Sequence, residues 1–255
     1  MCAISYLLNL LWNSMFLSVI NQMSSDSDSD ECYFQMKESD PKEHVTIESI
    51  ITSLFMSLFE DYGSSEYWEE RYSKSPSEQY EWFISWSYIS PHIREFCSGG
   101  KALNLGAGDS PMSFDMLQDG FDEVFSTDIS SSVVEKMKRM YRDEKRLKWV
   151  LSDCTNMKEF GDGEFDLVVD KGTLDALYCG TNARQSVVRT IEEIKRVLKK
   201  DSYFIDISFG SEEQRKEITE GCVGGLKHIK TIKIVNPKSG EKFNYIYILR
   251  KENNF

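Results

Sequence analysis

The stretch Ala102-Leu103-Asn104-Leu105-Gly106-Ala107-Gly108-Asp109 decides the fold. A short apolar run that stops at two closely spaced glycines reads as a strand entering a tight turn. Working outward, 111–118 has helical character and ends at Gly120. Glu123–Thr127 is a second strand closed by Asp128, and Leu147–Leu151 is a third, followed by Asp153. Between them, Ser132-x-x-Glu135 reads as a capping box, with Val133, Val134, Met137 and Met140 as the apolar stripe of its helix. Phe165–Val169 is almost wholly apolar, as a strand covered on both faces should be. Val187–Leu198 is an amphipathic helix, with Lys195, Arg196, Lys199 and Lys200 expected in its last turn. Tyr203–Phe209 is a fifth strand. Lys227–Val235 and Phe243–Arg250 flank a turn at Asn236-Pro237-Lys238-Ser239-Gly240 and read as an antiparallel hairpin. Strand–helix alternation closed by a hairpin predicts an α/β fold. It should be Rossmann-like and doubly wound, with a mostly parallel seven-stranded sheet and an antiparallel C-terminal hairpin.

In such sheets ligands bind beyond the carboxyl ends of the strands. Three features fall there: the Gly106–Gly108 turn, Asp128 at 22 residues after Gly106, and Asp153-Cys154 after the third strand. A carboxylate at Asp128 can accept both hydroxyls of a ribose, and Asp153 with the Cys154 amide can read an adenine edge. Together they form a nucleoside-binding pattern; taken singly, each is an ordinary turn. A third glycine for a pyrophosphate is missing, as is a Gly-Lys-Ser/Thr phosphate loop. Asp109 is also a poor neighbour for phosphate. S-adenosylmethionine carries no phosphate and tolerates such a loop, so it is favoured over a dinucleotide.

The 255 residues carry a net charge of -12, which argues against nucleic acid as partner and suits a basic protein. Residues 1–65 hold ten acids and two bases, so -8 of the -12 lies there. The six cysteines and three histidines show no zinc spacing, so no metal is expected.

The domain organisation reads as a tail, 1–60, and a catalytic domain, 61–255. The tail holds an apolar segment at 2–20, an acidic Ser-rich run at 24–31 and a short amphipathic helix over 45–60. No Lys or Arg precedes the apolar segment, so it does not read as a signal peptide. Three readings stay open for it: a membrane anchor, a packing helix, or translation beginning at Met23. The last is preferred, with a cytoplasmic location; membrane anchoring is the alternative.

Four blocks carry a family resemblance: Glu66-Tyr67-Trp68-Glu69-Glu70-Arg71-Tyr72, Tyr80-Glu81-Trp82-Phe83, the Leu105–Ser110 turn, and Asp128–Val134 with Asp166-Leu167-Val168-Val169-Asp170-Lys171-Gly172-Thr173-Leu174-Asp175-Ala176. Over residues 64–251 the chain resembles the class I, seven-β-strand methyltransferases, and within them the elongation factor 1-alpha lysine methyltransferase group. The usual Gly-Cys-Gly-Asn of that group is here Gly106-Ala107-Gly108-Asp109, and the segment after Ala176 is shorter and more charged. The resemblance implies S-adenosyl-L-methionine as cofactor and elongation factor 1-alpha as protein substrate. It implies that Trp68, Tyr72 and Trp82 close over the cofactor and that Gly106 and Gly108 form the loop beneath it. Asp128 and Ile129 would hold ribose and adenine, Asp153 and Cys154 the adenine edge, and Lys171 would supply a contact from strand four.

The residues themselves agree. Trp68 and Tyr72 are four apart, so they share a helical face, and aromatic rings stabilise a neighbouring sulfonium. Arg71 can pair with the cofactor's carboxylate. A lysine acceptor, with a pKa of about 10.4, must lose its proton before attack. Asp170 is the first candidate to orient that amine, with Asp175 and Tyr178 behind it. A small-molecule methyltransferase and a non-catalytic interaction protein on the same fold are the alternatives.

Overall fold

The computed structural model describes residues 62–74, 79–180, 182–215, 224–237, 240 and 242–252. The tail features expected at 2–20, 24–31 and 45–60 lie outside these residues.

Seven strands form one sheet in the order β3-β2-β1-β4-β5-β7-β6. They are β1 (Lys101–Leu105), β2 (Glu123–Asp128), β3 (Leu147–Leu151), β4 (Phe165–Lys171), β5 (Leu198–Ser208), β6 (Leu226–Val235) and β7 (Phe243–Lys251). The first five pair in parallel, and β7 runs antiparallel to both β5 and β6. The expected doubly wound sheet with its antiparallel hairpin is therefore the observed one. The chain reverses its direction of progress between β1 and β4, where side chains beyond Leu105 and Asp170 share a crevice.

Among the described residues, six helices accompany the sheet: α1 (Ser65–Ser73), α2 (Trp86–Ile93), α3 (Met112–Gln118), α4 (Ser131–Met140), α5 (Thr173–Tyr178) and α6 (Ala183–Val197). Each sheet face has its own core. Leu167, Val169 and Ile205 join Met112, Met116, Val133 and Met137 on one side. Leu103, Val168 and Phe204 join Leu174, Val187, Ile191 and Ile194 on the other. A strand with apolar residues at successive positions can serve both cores, which is why β4 lacks alternation.

Several boundaries shift by a few residues, α6 starting at Ala183 instead of Val187 among them, and two departures change what named residues do. Leu198 turns extended at ψ 138 and is fully buried, so β5 begins there, and Lys199 and Lys200 lie in that strand rather than in the last turn of α6. Lys199 instead pairs with Asp166 at 2.8 Å. The Ser132–Glu135 capping box is not formed. Ser130 is the N-cap of α4 and accepts from the Val133 amide, while Glu135 pairs with Lys138 on the exposed side. A carboxylate does reach this helix start, but it comes from Glu69 on α1.

No helix among the described residues is long and apolar enough to cross a membrane.

Candidate active site

A cavity of about 340 Å³ opens at the β1/β4 reversal. Its floor is the turn after β1. Gly106 and Gly108 have φ of 51° and 55°, a region L side chains rarely adopt. A Cβ on Gly106 would lie 2.1 Å from Thr173 Oγ1, and one on Gly108 2.5 Å from the Tyr72 hydroxyl. Both positions therefore need glycine for conformation and for space.

Asp128 ends β2 and is buried. It accepts hydrogen bonds from the Gly108 and Ser130 amides, both at 2.9 Å. Burial outweighs these bonds and holds its carboxyl up at about 6. Ile129 beside it is 41% exposed and presents an apolar surface to the cavity. After β3, Asp153 Oδ1 accepts from the Thr155 amide at 2.8 Å, which folds the turn that brings Cys154 to the cavity. The Cys154 sulfur accepts from Thr190 Oγ1 at 3.6 Å, and burial pushes its thiol up to about 12, so it stays protonated at neutral pH.

The upper wall comes from α1. Ser64 caps this helix by accepting from the Tyr67 amide. Trp68 and Tyr72 then stand one turn apart with stacked rings, centroids 5.8 Å apart, and Trp82 meets Trp68 edge-on at 6.2 Å. Arg71 does not line the cavity. Its guanidinium carbon sits 5.1 Å over Trp82 and 5.9 Å from Tyr80. Lys171 closes the wall: it pairs with Glu81 and donates to the Trp82 carbonyl at 3.0 Å. Glu81 also accepts from Ser110 at 2.9 Å, so the 80–83 segment is tied to both β4 and the glycine turn.

Ten of the eleven residues expected around the cofactor thus line one cavity: Trp68, Tyr72, Trp82, Gly106, Gly108, Asp128, Ile129, Asp153, Cys154 and Lys171. Among the three expected to act on the acceptor, only Asp175 does. Asp170 is fully buried and accepts from the Thr173 and Leu174 amides at 3.0 and 3.1 Å, so its carboxylate holds the start of α5 instead of facing the cavity. The Tyr178 ring lies 4.9 Å from the Arg215 guanidinium carbon, outside the lining.

The sequence reading missed Glu69, Glu81, Asp206 and Arg215. Asp206 did carry a signal, being a lone acid inside Phe204-Ile205-Asp206-Ile207. The charge argument on Asp109 also changes. Lys136 neutralises it at 3.0 Å, so it does not by itself disfavour phosphate.

The residues present fit S-adenosylmethionine. The glycine turn leaves a cradle that any Cβ would fill, the walls are aromatic and apolar, and the lining carboxylates Asp128, Asp153 and Asp175 suit a cationic ligand with ribose hydroxyls. Among the described residues of the lining the one basic side chain, Lys171, is already engaged by Glu81, which leaves little there to hold a pyrophosphate.

A family model described as a methyltransferase domain matches residues 97–252. The chain belongs to the methyltransferase domain family. Among the chain's curated relatives, EEF1A lysine methyltransferase 4 of Bos taurus is 33% identical over 58% of the chain, and eEF1A lysine and N-terminal methyltransferase of Homo sapiens is 29% identical over 58%. The chain spans 61% of the first relative's length and 22% of the second's. A solved S-adenosylmethionine-dependent methyltransferase from Methanosarcina mazei superposes with a TM-score of 0.55 at 15% identity, covering 64% of this chain and 98% of that one. An N1-methyltransferase from Burkholderia thailandensis, solved with S-adenosylhomocysteine, gives 0.52 at 17% identity, covering 86% and 94%. At such identities the likeness concerns the fold, which is that of S-adenosylmethionine-dependent methyltransferases.

Proposed function

We propose that this methyltransferase moves the methyl group of S-adenosylmethionine to a lysine nitrogen of a protein, with translation elongation factor 1-alpha as the substrate and the cytoplasm as the place. The observation that carries this reading is Asp175. Asp175 lines the cavity; its Oδ1 is engaged by Ser208 and Arg215, while its Oδ2 is buried and has no hydrogen-bond partner. Phe83, Leu177 and Phe209 line the same cavity, with the Phe83 and Phe209 rings edge-on at 5.1 Å. A lysine side chain offers an apolar stem for these side chains and a nitrogen donor for the unpartnered oxygen of Asp175. The names of the relatives support the choice of protein.

Bound S-adenosylmethionine supplies an electrophilic methyl group on a sulfonium. The protein's part is alignment and desolvation. Trp68, Tyr72 and Trp82 shield the site from water and favour the sulfonium charge. Asp128 accepts from the ribose, Ile129 packs on the base, and Asp153 with the Cys154 amide meets its edge. Lys171 acts at one remove, by holding Glu81 and the Trp82 backbone. Asp175 Oδ2 accepts from the acceptor nitrogen and points its lone pair at the methyl group. The aromatic surroundings disfavour the ammonium, so the amine gives its proton to solvent before it reacts.

The test is incubation of the protein with radiolabelled S-adenosylmethionine and cell lysate, followed by mass spectrometry of the labelled band. Label on a lysine of elongation factor 1-alpha is expected. Label confined to a metabolite would establish the small-molecule alternative, and no cofactor binding by calorimetry would establish a non-catalytic protein.

A further inference from the structure

Behind the wall that carries Asp175, a guanidinium is buried among three carboxylates. Arg215 is 3% exposed at its side chain, Asp175 9% and Asp206 0%. Arg215 Nη2 donates to Asp175 Oδ1 at 2.7 Å and to Ser208 Oγ at 2.9 Å. Its Nε forms an ion pair with Asp206 Oδ2 at 3.2 Å. Ser208 itself donates to Asp175 Oδ1 at 2.8 Å. Asp170, the third carboxylate, stands beside Asp206 and is committed to the amides of α5.

The arrangement divides the two oxygens of Asp175 between two tasks. Oδ1 takes two donors, from Ser208 and Arg215, and Oδ2, on a residue that lines the cavity, takes none. A planar guanidinium suits this, because its fork addresses two carboxylates on different elements at once, here α5 and β5. An isolated Asp in a short helix could turn about χ1 and χ2, and a carboxylate a fraction of an ångström out of place aligns a nucleophile poorly. Burial raises the carboxyls of Asp170, Asp175 and Asp206, to about 6, 6 and 7, and the Arg215 charge opposes that rise at each of them.

We propose that Arg215 is a positioning residue for the acceptor site: anchored on Asp206, it grips Asp175 by one oxygen and turns the other toward the acceptor nitrogen. This rests on the reading of Asp175 as the amine contact.

The experiment is a double-mutant cycle on full-length protein with Arg215→Met, Asp175→Asn and the pair. It reads methyl transfer to recombinant elongation factor 1-alpha, with cofactor affinity measured by calorimetry. R215M is expected to lower kcat at least tenfold and to leave cofactor affinity within about twofold, because Arg215 acts on the acceptor side alone. The double variant is expected to be no slower than D175N, since Arg215 acts through Asp175. Asp206→Asn, which keeps the shape of β5, is expected to show a smaller loss of the same kind and serves if R215M does not fold. A crystal structure of either variant should show the Asp175 carboxylate rotated, whatever the acceptor proves to be. Additive losses with D175N impaired, or an unmoved Asp175 carboxylate in the variant crystal, would overturn the role of Arg215 and leave Asp175 standing. Full turnover in D175N would overturn both.

Discussion

Glu69 accepts a hydrogen bond from Ser130 across 2.7 Å, joining two helices whose sequences lie 61 residues apart. It accepts the Ser132 amide at 3.3 Å as well. The helix bearing Trp68 and Tyr72 is thereby docked on the N-terminus of α4, where a carboxylate is favoured by unsatisfied amides. The serine hydroxyls hold the Glu69 carboxyl down at about 2.

Glu69→Gln should therefore weaken both the protein and its cofactor site. Loss of a helix cap costs about 0.5–2 kcal/mol. Because the folded carboxyl titrates below its ordinary value of 4.5, its contribution is complete above that pH and is lost as pH falls toward about 2. Urea unfolding of wild type and E69Q should show a gap at pH 7 that closes over that window. A constant gap would mean that the charge of Glu69 does not matter.

Gly106→Ala meets Thr173 Oγ1 and needs φ of 51°. A strained left-handed residue costs about 1–3 kcal/mol. Calorimetry should show at least a tenfold loss of cofactor affinity, and a thermal melt should fall in parallel.

Asp128 predicts an acid limit on cofactor binding. Its carboxyl stands raised, at about 6, so the free protein takes up a proton as pH drops through that value. Ribose recognition needs the ionised form. The dissociation constant should be flat above pH 7 and should rise toward tenfold per pH unit below 6. Asp128→Ala should abolish binding at every pH, and retained affinity would remove the ribose assignment.

Asp170 and Asp175 should separate cleanly. Asp170→Ala strips two buried amides of their acceptor, at a cost of about 1–3 kcal/mol, and should lower the melting midpoint. Its kcat per folded molecule should remain within about threefold, because the carboxylate faces α5 and not the cavity. Asp175→Asn should keep cofactor binding and lose about 10²-fold in kcat. The reverse pattern would restore Asp170 to the acceptor site.

The fold was readable because strand and helix periods differ and because β1, β2 and β4 run into Gly or Asp at their carboxyl ends. Gly106, Asp128 and Asp153 announce their positions by local sequence alone. What was not readable depends on partners distant in the chain. The Ser132–Glu135 box has the right residues in the right spacing, yet Ser130 starts α4 and a helix 61 residues upstream supplies the acid. Asp170 looked catalytic because it ends a buried strand, and only the path of α5 shows that its oxygens are spent on Thr173 and Leu174. Arg215 sits in a polar stretch, Ser211-Glu212-Glu213-Gln214-Arg215, that reads as solvated surface; its burial follows from Asp175, 40 residues earlier.

The aromatic wall gives the protein its own optical reporter. Trp68 and Trp82 line the cavity, whereas Trp86 and Trp149 are 3% and 6% exposed within the core and do not line it. Ligand entry should change the emission of the first pair while the second provides a steady background. Titration followed by intrinsic fluorescence therefore needs no dye, and Trp68→Phe would show how much of the signal is local to the cavity.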